Sequence, residues 1–135
     1  MTLTSSIYNG QLRCTATHGP SNSTLITDAP TDNHGRGEAF SPTDLVATAL
    51  GTCILTVMGI AAARLGAAMD GATIQVEKTM AAAPTRRVAS LNCHITMPAG
   101  IDAGHRPALI AAAERCPVKE SLHPDAAITL NWEWR

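Results

Sequence analysis

The chain has 135 residues, of which 45% are hydrophobic, 16% charged and only 3% aromatic. This length fits one ordinary domain with a core of small and aliphatic side chains, so we expect a single domain over residues 1–135. The formal net charge is −1 and no basic run is longer than Arg86-Arg87, which argues against a nucleic-acid partner.

The N-terminal region has neither a basic start nor an apolar stretch, so we expect no secretory signal and place the protein in the cytoplasm. Two strands are predicted next, over residues 6–16 and 23–28, joined by a turn at residues 18–22. Residues 29–40 are rich in turn-forming residues and are predicted to form a loop.

A long helix is predicted to begin at Ser41, with Pro42 at its first position and Asp44 three residues after the cap. It should end at Gly66. Residues 45–63 carry no charge and are just long enough to cross a bilayer. Because Ala, Gly and Thr dilute this segment and it has no aromatic belt, we predict a buried helix and no membrane association. A small monomer would struggle to cover such a helix, so we expect a homodimer.

The second half of the chain alternates strands with short helices. Residues 72–82 and 86–97 are predicted to form a β-hairpin, and a short helix begins near Pro107. Cys116 interrupts this helix, a second short helix follows, and residues 126–134 form the last strand. The predicted order is β-β-α-β-β-α-β, which is typical of an α+β domain.

Four cysteines are the residues best able to carry chemistry. In a reducing compartment Cys14, Cys53, Cys93 and Cys116 are expected to be free thiols, and their spacing with the histidines indicates no metal site. Cys14 and Cys93 fall in predicted strands, where packing is the expected role. Cys53 could also be a packing residue of the apolar helix. Cys116 precedes Pro117 at a helix start, where backbone N–H groups are expected to lower its pKa.

Three segments resemble the OsmC/Ohr superfamily, which comprises osmotically inducible protein C and the organic hydroperoxide resistance proteins. They are SPTDLVATALGTC at 41–53, GID at 100–102 and AERCPV at 113–118. The resemblance runs over most of the chain and places one cysteine centrally in the long helix and another at a Cys-Pro helix start. It implies an OsmC-like α+β fold, an intertwined homodimer whose sheets wrap around two central buried helices.

The resemblance also implies a function, that of a thiol-dependent peroxidase acting on small organic hydroperoxides. Cys53 aligns with the peroxidatic cysteine, which becomes a sulfenic acid, and Cys116 aligns with the resolving cysteine, which closes a disulfide. A lipoyl-type dithiol then reduces that disulfide, and no cofactor or metal is required. Two alternatives stay open: a non-catalytic protein of the same fold that binds a small hydrophobic ligand, and a thiol redox sensor.

One position departs from the hydroperoxide-resistance pattern, in which a glutamate ten residues before the peroxidatic cysteine holds the arginine that stabilises its thiolate. Thr43 occupies that position. Asp44 is adjacent but lies on the helix face opposite the cysteine, and Glu38 in the preceding loop is another acidic candidate. For the arginine, Arg36 and Arg13 compete, with Arg36 slightly favoured. The departure places the chain nearer the divergent OsmC-like branch of redox proteins.

Overall fold

The structure, a computed structural model, describes residues 1–135 and has the predicted α+β composition. Its elements are β1 (Thr4–Gly10), β2 (Arg13–His18), β3 (Thr24–Asp28), α1 (Pro42–Leu65), β4 (Thr73–Ala81), β5 (Arg87–Met97), α2 (Arg106–Glu114), α3 (Pro117–Ser121) and β6 (Ala127–Trp134). Short 3₁₀ turns lie at Thr31–Asn33 and Ala103–His105. The chain forms two compact units, Met1–Val46 and Ala47–Arg135, and the single-domain expectation stays a prediction.

The first unit contains a three-stranded antiparallel sheet in the order β1-β2-β3. The turn predicted at residues 18–22 is confirmed, because the amide of His18 donates to the carbonyl of Ser23 at 2.8 Å. After β3 the chain runs through the predicted loop, which the amide of Asp28 closes by donating to the carbonyl of Phe40 at 3.1 Å. Most side chains of the three strands are exposed, and the end of β3 is buried.

The strand predicted over residues 6–16 is wrong, because this segment is a hairpin of two strands. Gly10 pairs with Arg13, which leaves a two-residue loop between β1 and β2. Gln11 and Leu12 in this loop have positive φ angles of 53° and 62°, as the tight connection requires. As a result, Arg13 is the first residue of β2 and pairs with Asp28, the last residue of β3.

The start and end of α1 are as predicted. The Ser41 hydroxyl accepts a hydrogen bond from the Asp44 amide at 3.1 Å, and the Asp44 carboxylate accepts one from the Ser41 amide at 2.8 Å. This reciprocal pair satisfies two amides that the first helical turn leaves unpaired. After Leu65 the chain turns at Gly66, whose φ of 68° suits a glycine at a helix C-terminus.

The second unit is built on the sheet β4-β5-β6, in which β4 and β5 are antiparallel and β5 and β6 are parallel. The predicted hairpin, the two short helices and the last strand are confirmed. The connection from β5 to its parallel neighbour β6 runs through α2 and α3, because parallel strands need a long crossover. With the extra strand of the first unit, the observed order is β-β-β-α-β-β-α-α-β instead of the predicted order.

The core of the second unit consists of aliphatic, methionine and cysteine side chains. Its fully buried members are Leu50, Ile54, Met58 and Ala62 of α1, Leu91, Cys93, Ile95 and Met97 of β5, Leu109 and Ala113 of α2, and Cys116. A Cβ added at Gly51 would lie 3.2 Å from the Cγ2 atoms of Ile74 and Val76, so α1 packs very closely on β4.

The helix predicted to be buried on every side buries only part of its surface within one chain. Thr52, Thr56 and Ile60 of α1 are exposed. By length and composition alone α1 could cross a membrane, a property that core helices of soluble proteins share. The expectation of a dimer that covers the exposed face remains a prediction.

Candidate active site

Cys116 lies at the N-cap position of α3, with Pro117 directly after it, so the predicted helix start is confirmed. The residue is fully buried. Its carbonyl accepts a hydrogen bond from the Glu120 amide at 3.0 Å, which closes the first turn of α3. The fixed backbone of this turn holds the thiol inside the second unit.

The thiols of Cys53 and Cys116, distant in sequence, form a side-chain hydrogen bond. Both belong to the second unit, and neither is part of a disulfide. Cys53 is partly exposed on α1, whereas Cys116 is completely buried. The fold therefore places one accessible thiol directly beside one inaccessible thiol.

The pKa of Cys116 is raised, so the lowering expected from the helix start is wrong. Burial is the largest cause, and the hydrogen bond to Cys53 acts in the same direction. The backbone N–H groups of Val118 and Lys119 lower the pKa as expected but are outweighed. A raised pKa keeps the Cys116 thiol protonated at neutral pH, and a protonated thiol can donate to the sulfur of Cys53.

The two other cysteines occupy different surroundings. Cys93 is fully buried on β5, and this burial raises its pKa to about 11, with a smaller contribution in the same direction from Cys116. A protonated and inaccessible thiol is a poor nucleophile, which agrees with a packing role. Cys14 lies half-buried on β2 in the first unit.

Arg13, the first residue of β2, is the centre of a charged cluster in the first unit. Its guanidinium forms an ion pair with Glu38 and lies 3.4 Å from the carboxylate of Asp28. The hydrogen bond with Glu38 is the main cause that raises the pKa of Arg13. An arginine held by a glutamate is the feature that the family resemblance implies, but here the glutamate comes from the loop before α1.

The remaining predicted site residues lie elsewhere. Arg36 is exposed in the loop, and its backbone N–H is the group that acts on Asp28. The carboxylate of Asp44 caps α1 together with Ser41. Thr43, at the position of the family glutamate, also belongs to this cap, since its hydroxyl lies 3.2 Å from that of Ser41.

Sequence reasoning missed Asp28, which contacts both the guanidinium of Arg13 and the backbone of Glu38. The available signal was the Asn9-Gly10 pair directly before the loop, since asparagine and glycine are typical residues of turns. A hairpin there begins a new strand at Arg13, and this strand can then pair with the end of β3.

The family model for OsmC-like proteins matches residues 35–131, well over half of the chain. The chain belongs to the OsmC family. The resemblance found in the sequence is thereby confirmed, and the match includes Glu38 and both cysteines of the contacting pair but begins after Arg13 and Asp28.

Solved structures carry the same OsmC fold. A protein of Psychrobacter arcticus 273-4, provisionally described as an osmotic stress induced and detoxification response protein, is 44% identical with a TM-score of 0.92, over 98% of this chain and 96% of that chain. An organic hydroperoxide resistance protein OsmC of Legionella pneumophila is 18% identical with a TM-score of 0.79, over 98% and 96% of the two chains. An organic hydroperoxide resistance protein of Elizabethkingia anophelis is 11% identical with a TM-score of 0.80, over 100% and 96%.

The last two likenesses are below 25% identity and show the OsmC fold alone. Among curated proteins, none matches the sequence. The family and the α+β OsmC fold are therefore established, and organic hydroperoxide resistance proteins are among the structural relatives.

Proposed function

We propose that this OsmC protein is a cysteine-based peroxidase that reduces organic hydroperoxides. The observation that carries the proposal is the contact between the thiols of Cys53 and Cys116. The partly exposed thiol of Cys53 can react with a small substrate. The buried thiol of Cys116, in contact with Cys53, can then react with the resulting sulfenic acid before solvent does. The names of the hydroperoxide resistance relatives support the same class of substrate.

The reaction begins at Cys53. Its thiolate attacks the outer oxygen of the hydroperoxide, the O–O bond breaks, and the alcohol leaves with a proton while Cys53 becomes a sulfenic acid. The Cys116 sulfur then attacks the Cys53 sulfur, and water leaves as the disulfide forms. An external dithiol, of the lipoyl type, restores both thiols by exchange and is itself oxidised to a disulfide.

Arg13 and Arg36 are the two candidates for the cation that the family resemblance implies for the peroxidatic thiolate. Of the two candidate arginines, Arg13 alone has its guanidinium held by carboxylates, those of Glu38 and Asp28. A held arginine keeps its charge in one place, whereas the side chain of Arg36 is exposed. Glu38 thus holds Arg13 in the way that the resemblance implies for the family glutamate, whose position Thr43 occupies.

The cellular compartment that we propose follows from the same chemistry. A cycle that ends in dithiol exchange needs a reducing compartment, so we place the protein in the cytoplasm.

We also propose that it acts as a homodimer, since one chain leaves the apolar residue Ile60 of α1 exposed.

The test is mass spectrometry of the reduced protein after one equivalent of cumene hydroperoxide. We expect the loss of two thiols and a peptide pair joined through Cys53 and Cys116, while Cys14 and Cys93 stay free. Cys93 is expected to be unreactive because it is buried and its pKa is raised to about 11. In Cys116→Ser one equivalent should leave a dimedone-reactive sulfenic acid on Cys53, and a second equivalent of hydroperoxide should oxidise it to sulfinic acid.

Cys93→Ala is the matched control, since it removes a buried thiol of the same unit and should leave the disulfide yield unchanged. Oxidation of Cys14 before Cys53 would contradict the proposal. An unreacted protein would instead support the non-catalytic ligand-binding protein. A disulfide that forms once but gives no turnover with dihydrolipoamide would support a redox sensor.

A further inference from the structure

The last residue of α2 is a carboxylate, at a helix end that disfavours negative charge. Glu114 lies among the final backbone carbonyls of α2, which no helical amide pairs with and which carry partial negative charge. A carboxylate at this position therefore needs a compensating partner. Glu114 has that partner outside its own helix, in Lys119 of α3, whose Nζ lies 3.0 Å from the Glu114 carboxylate.

This ion pair spans the bend at residues 114–119, which has Cys116 within it. The Cys116 amide donates to the carbonyl of Ala113 in α2 at 3.2 Å, and its carbonyl accepts from the Glu120 amide of α3 at 3.0 Å. The backbone of the buried cysteine is thus connected to both helices. The Glu114–Lys119 ion pair adds a connection between the two helices that depends on side chains.

Lys119 also acts on Cys116 through its backbone. Burial, the largest cause, and the hydrogen bond with Cys53 raise the pKa of Cys116, whereas the backbone N–H groups of Lys119 and Val118 lower it. These two N–H groups therefore favour the thiolate of Cys116. The same residue holds α2 with its ammonium group and stabilises the Cys116 sulfur with its amide.

The helix that presents these amides is too short to be stable by itself. α3 has five residues, none of them buried, and isolated helices of this length do not form in water. If α3 opens, the amides of Val118 and Lys119 move away from the Cys116 sulfur. The link from Lys119 to Glu114 opposes this opening, because it joins α3 to the end of α2.

We propose that the Glu114–Lys119 ion pair holds the bend closed during catalysis, and that Lys119 is a positioning residue for the formation of the Cys53–Cys116 disulfide. This inference rests on the proposed function, in which Cys116 resolves the sulfenic acid of Cys53. In that step the S–S bond forms, the S–O bond of Cys53 breaks, and the hydroxyl group leaves as water with the thiol proton of Cys116. The side chains of Glu114 and Lys119 act through the backbone of the bend.

The experiment uses the competition between disulfide formation and further oxidation. Without a reductant, a second molecule of hydroperoxide can convert the Cys53 sulfenic acid to sulfinic acid before Cys116 attacks it. Mass spectrometry over a series of cumene hydroperoxide concentrations gives the half-point, the concentration at which half of Cys53 ends as sulfinic acid. The half-point is proportional to the rate of disulfide formation, and the Cys116→Ser background gives the rate of the sulfinic step by itself.

We expect the half-point to fall about two- to fivefold in Lys119→Met, an effect in the range expected of a partly exposed ion pair. The rate at which the Cys53 thiol is first consumed should equal that of the wild type, because Lys119 acts on the second step only. A loss of overall structure would instead change both rates.

Three matched variants test the ion pair from both sides. Glu114→Gln removes its carboxylate and should lower the half-point by the same factor, with no further loss in the double variant with Lys119→Met. Lys119→Arg keeps the charge and should keep the wild-type half-point. Arg115→Met removes a positive charge from an exposed residue adjacent to Cys116 and should leave the half-point unchanged.

The direction of the change in Glu114→Gln separates positioning from simple charge. Loss of a nearby carboxylate by itself favours a thiolate, so a direct charge effect on Cys116 would raise the half-point. A raised or unchanged half-point in Glu114→Gln overturns the proposal, as does a Lys119→Arg variant as sensitive as Lys119→Met. Glu114→Gln also decides the question if circular dichroism shows that Lys119→Met does not fold, because the Glu114 side chain is 50% exposed.

The wild type distinguishes failure of this proposal from failure of the proposed function. If one equivalent of hydroperoxide gives no Cys53–Cys116 disulfide in the wild type, the peroxidase and the positioning role are both overturned. If the wild type forms the disulfide and all variants share its half-point, the positioning role alone is overturned.

Discussion

Two arginines of the first unit differ in how their guanidinium groups are held. Arg13 contacts Glu38 and Asp28, while the side chain of Arg36 is exposed. A cation held in one position lowers the free energy of a nearby anion more than a mobile one, because no ordering entropy has to be lost.

If Arg13 is the cation that the resemblance implies for the peroxidatic cysteine, its replacement by methionine should slow the iodoacetamide alkylation of Cys53 over the pH profile, since a nearby opposite charge favours a thiolate. Arg36→Met is the matched control and should leave the profile unchanged. The sequence alone favoured Arg36, so the reverse result would return the role to that residue. Equal profiles for both variants and the wild type would remove arginine from the mechanism.

Single residues also show what the sequence could and could not reveal. The resemblance identified Cys53 and Cys116, and their contact in the fold agrees with it. The local Cys-Pro pattern, however, predicted the wrong direction for the pKa of Cys116, because a helix start is visible in the sequence and burial is not. Asp28 was missed for the same kind of reason, since its partners lie on a neighbouring strand and a loop.

At the scale of elements, the boundaries of α1 were predictable because they depend on local chemistry. The reciprocal hydrogen bonds of Ser41 and Asp44 and the positive φ of Gly66 require only neighbouring residues. The prediction of one strand over residues 6–16 was wrong because its two loop residues, Gln11 and Leu12, are not typical turn formers. The extent of burial of α1 depends on packing partners, which a local pattern does not contain.

Two glycines of α1 allow a matched test of how closely this helix packs on β4. Glycine weakens a helix interior by about 0.5–1 kcal/mol relative to alanine, so Gly59→Ala, with nothing within 4 Å of the new Cβ, should raise the free energy of unfolding by about that amount. At Gly51 the new Cβ would lie 3.2 Å from the methyl groups of Ile74 and Val76, whose branched side chains have little freedom to move.

Gly51→Ala should therefore gain less than Gly59→Ala or lose stability outright, and Gly51→Val should lose about 1–3 kcal/mol through overpacking. Denaturant unfolding at one fixed protein concentration measures all three variants. Equal gains for both alanine variants would show that α1 can move away from β4 without loss, contrary to the close packing of the structure.

At the scale of the whole molecule, both units leave large hydrophobic side chains exposed, and soluble monomers seldom expose extended apolar surface. The large hydrophobic side chains exposed in the two units are Met1, Leu3, Ile7, Tyr8, Leu12, Leu25, Ile26, Phe40 and Ile60.

We accordingly expect a homodimer of about twice 14.1 kDa in sedimentation equilibrium at micromolar concentration, without detergent. Ile60 is 52% exposed on α1, and its replacement by aspartate should weaken association, because a charge would have to be buried at the interface. Ala108→Asp, at an exposed position in the first turn of α2 where a negative charge is tolerated, is the control and should remain dimeric. A stable 14.1 kDa species for the wild type would show that one chain can leave this apolar surface in water, and would contradict the dimer. A protein that stays in solution only with detergent would instead favour the membrane interpretation of α1.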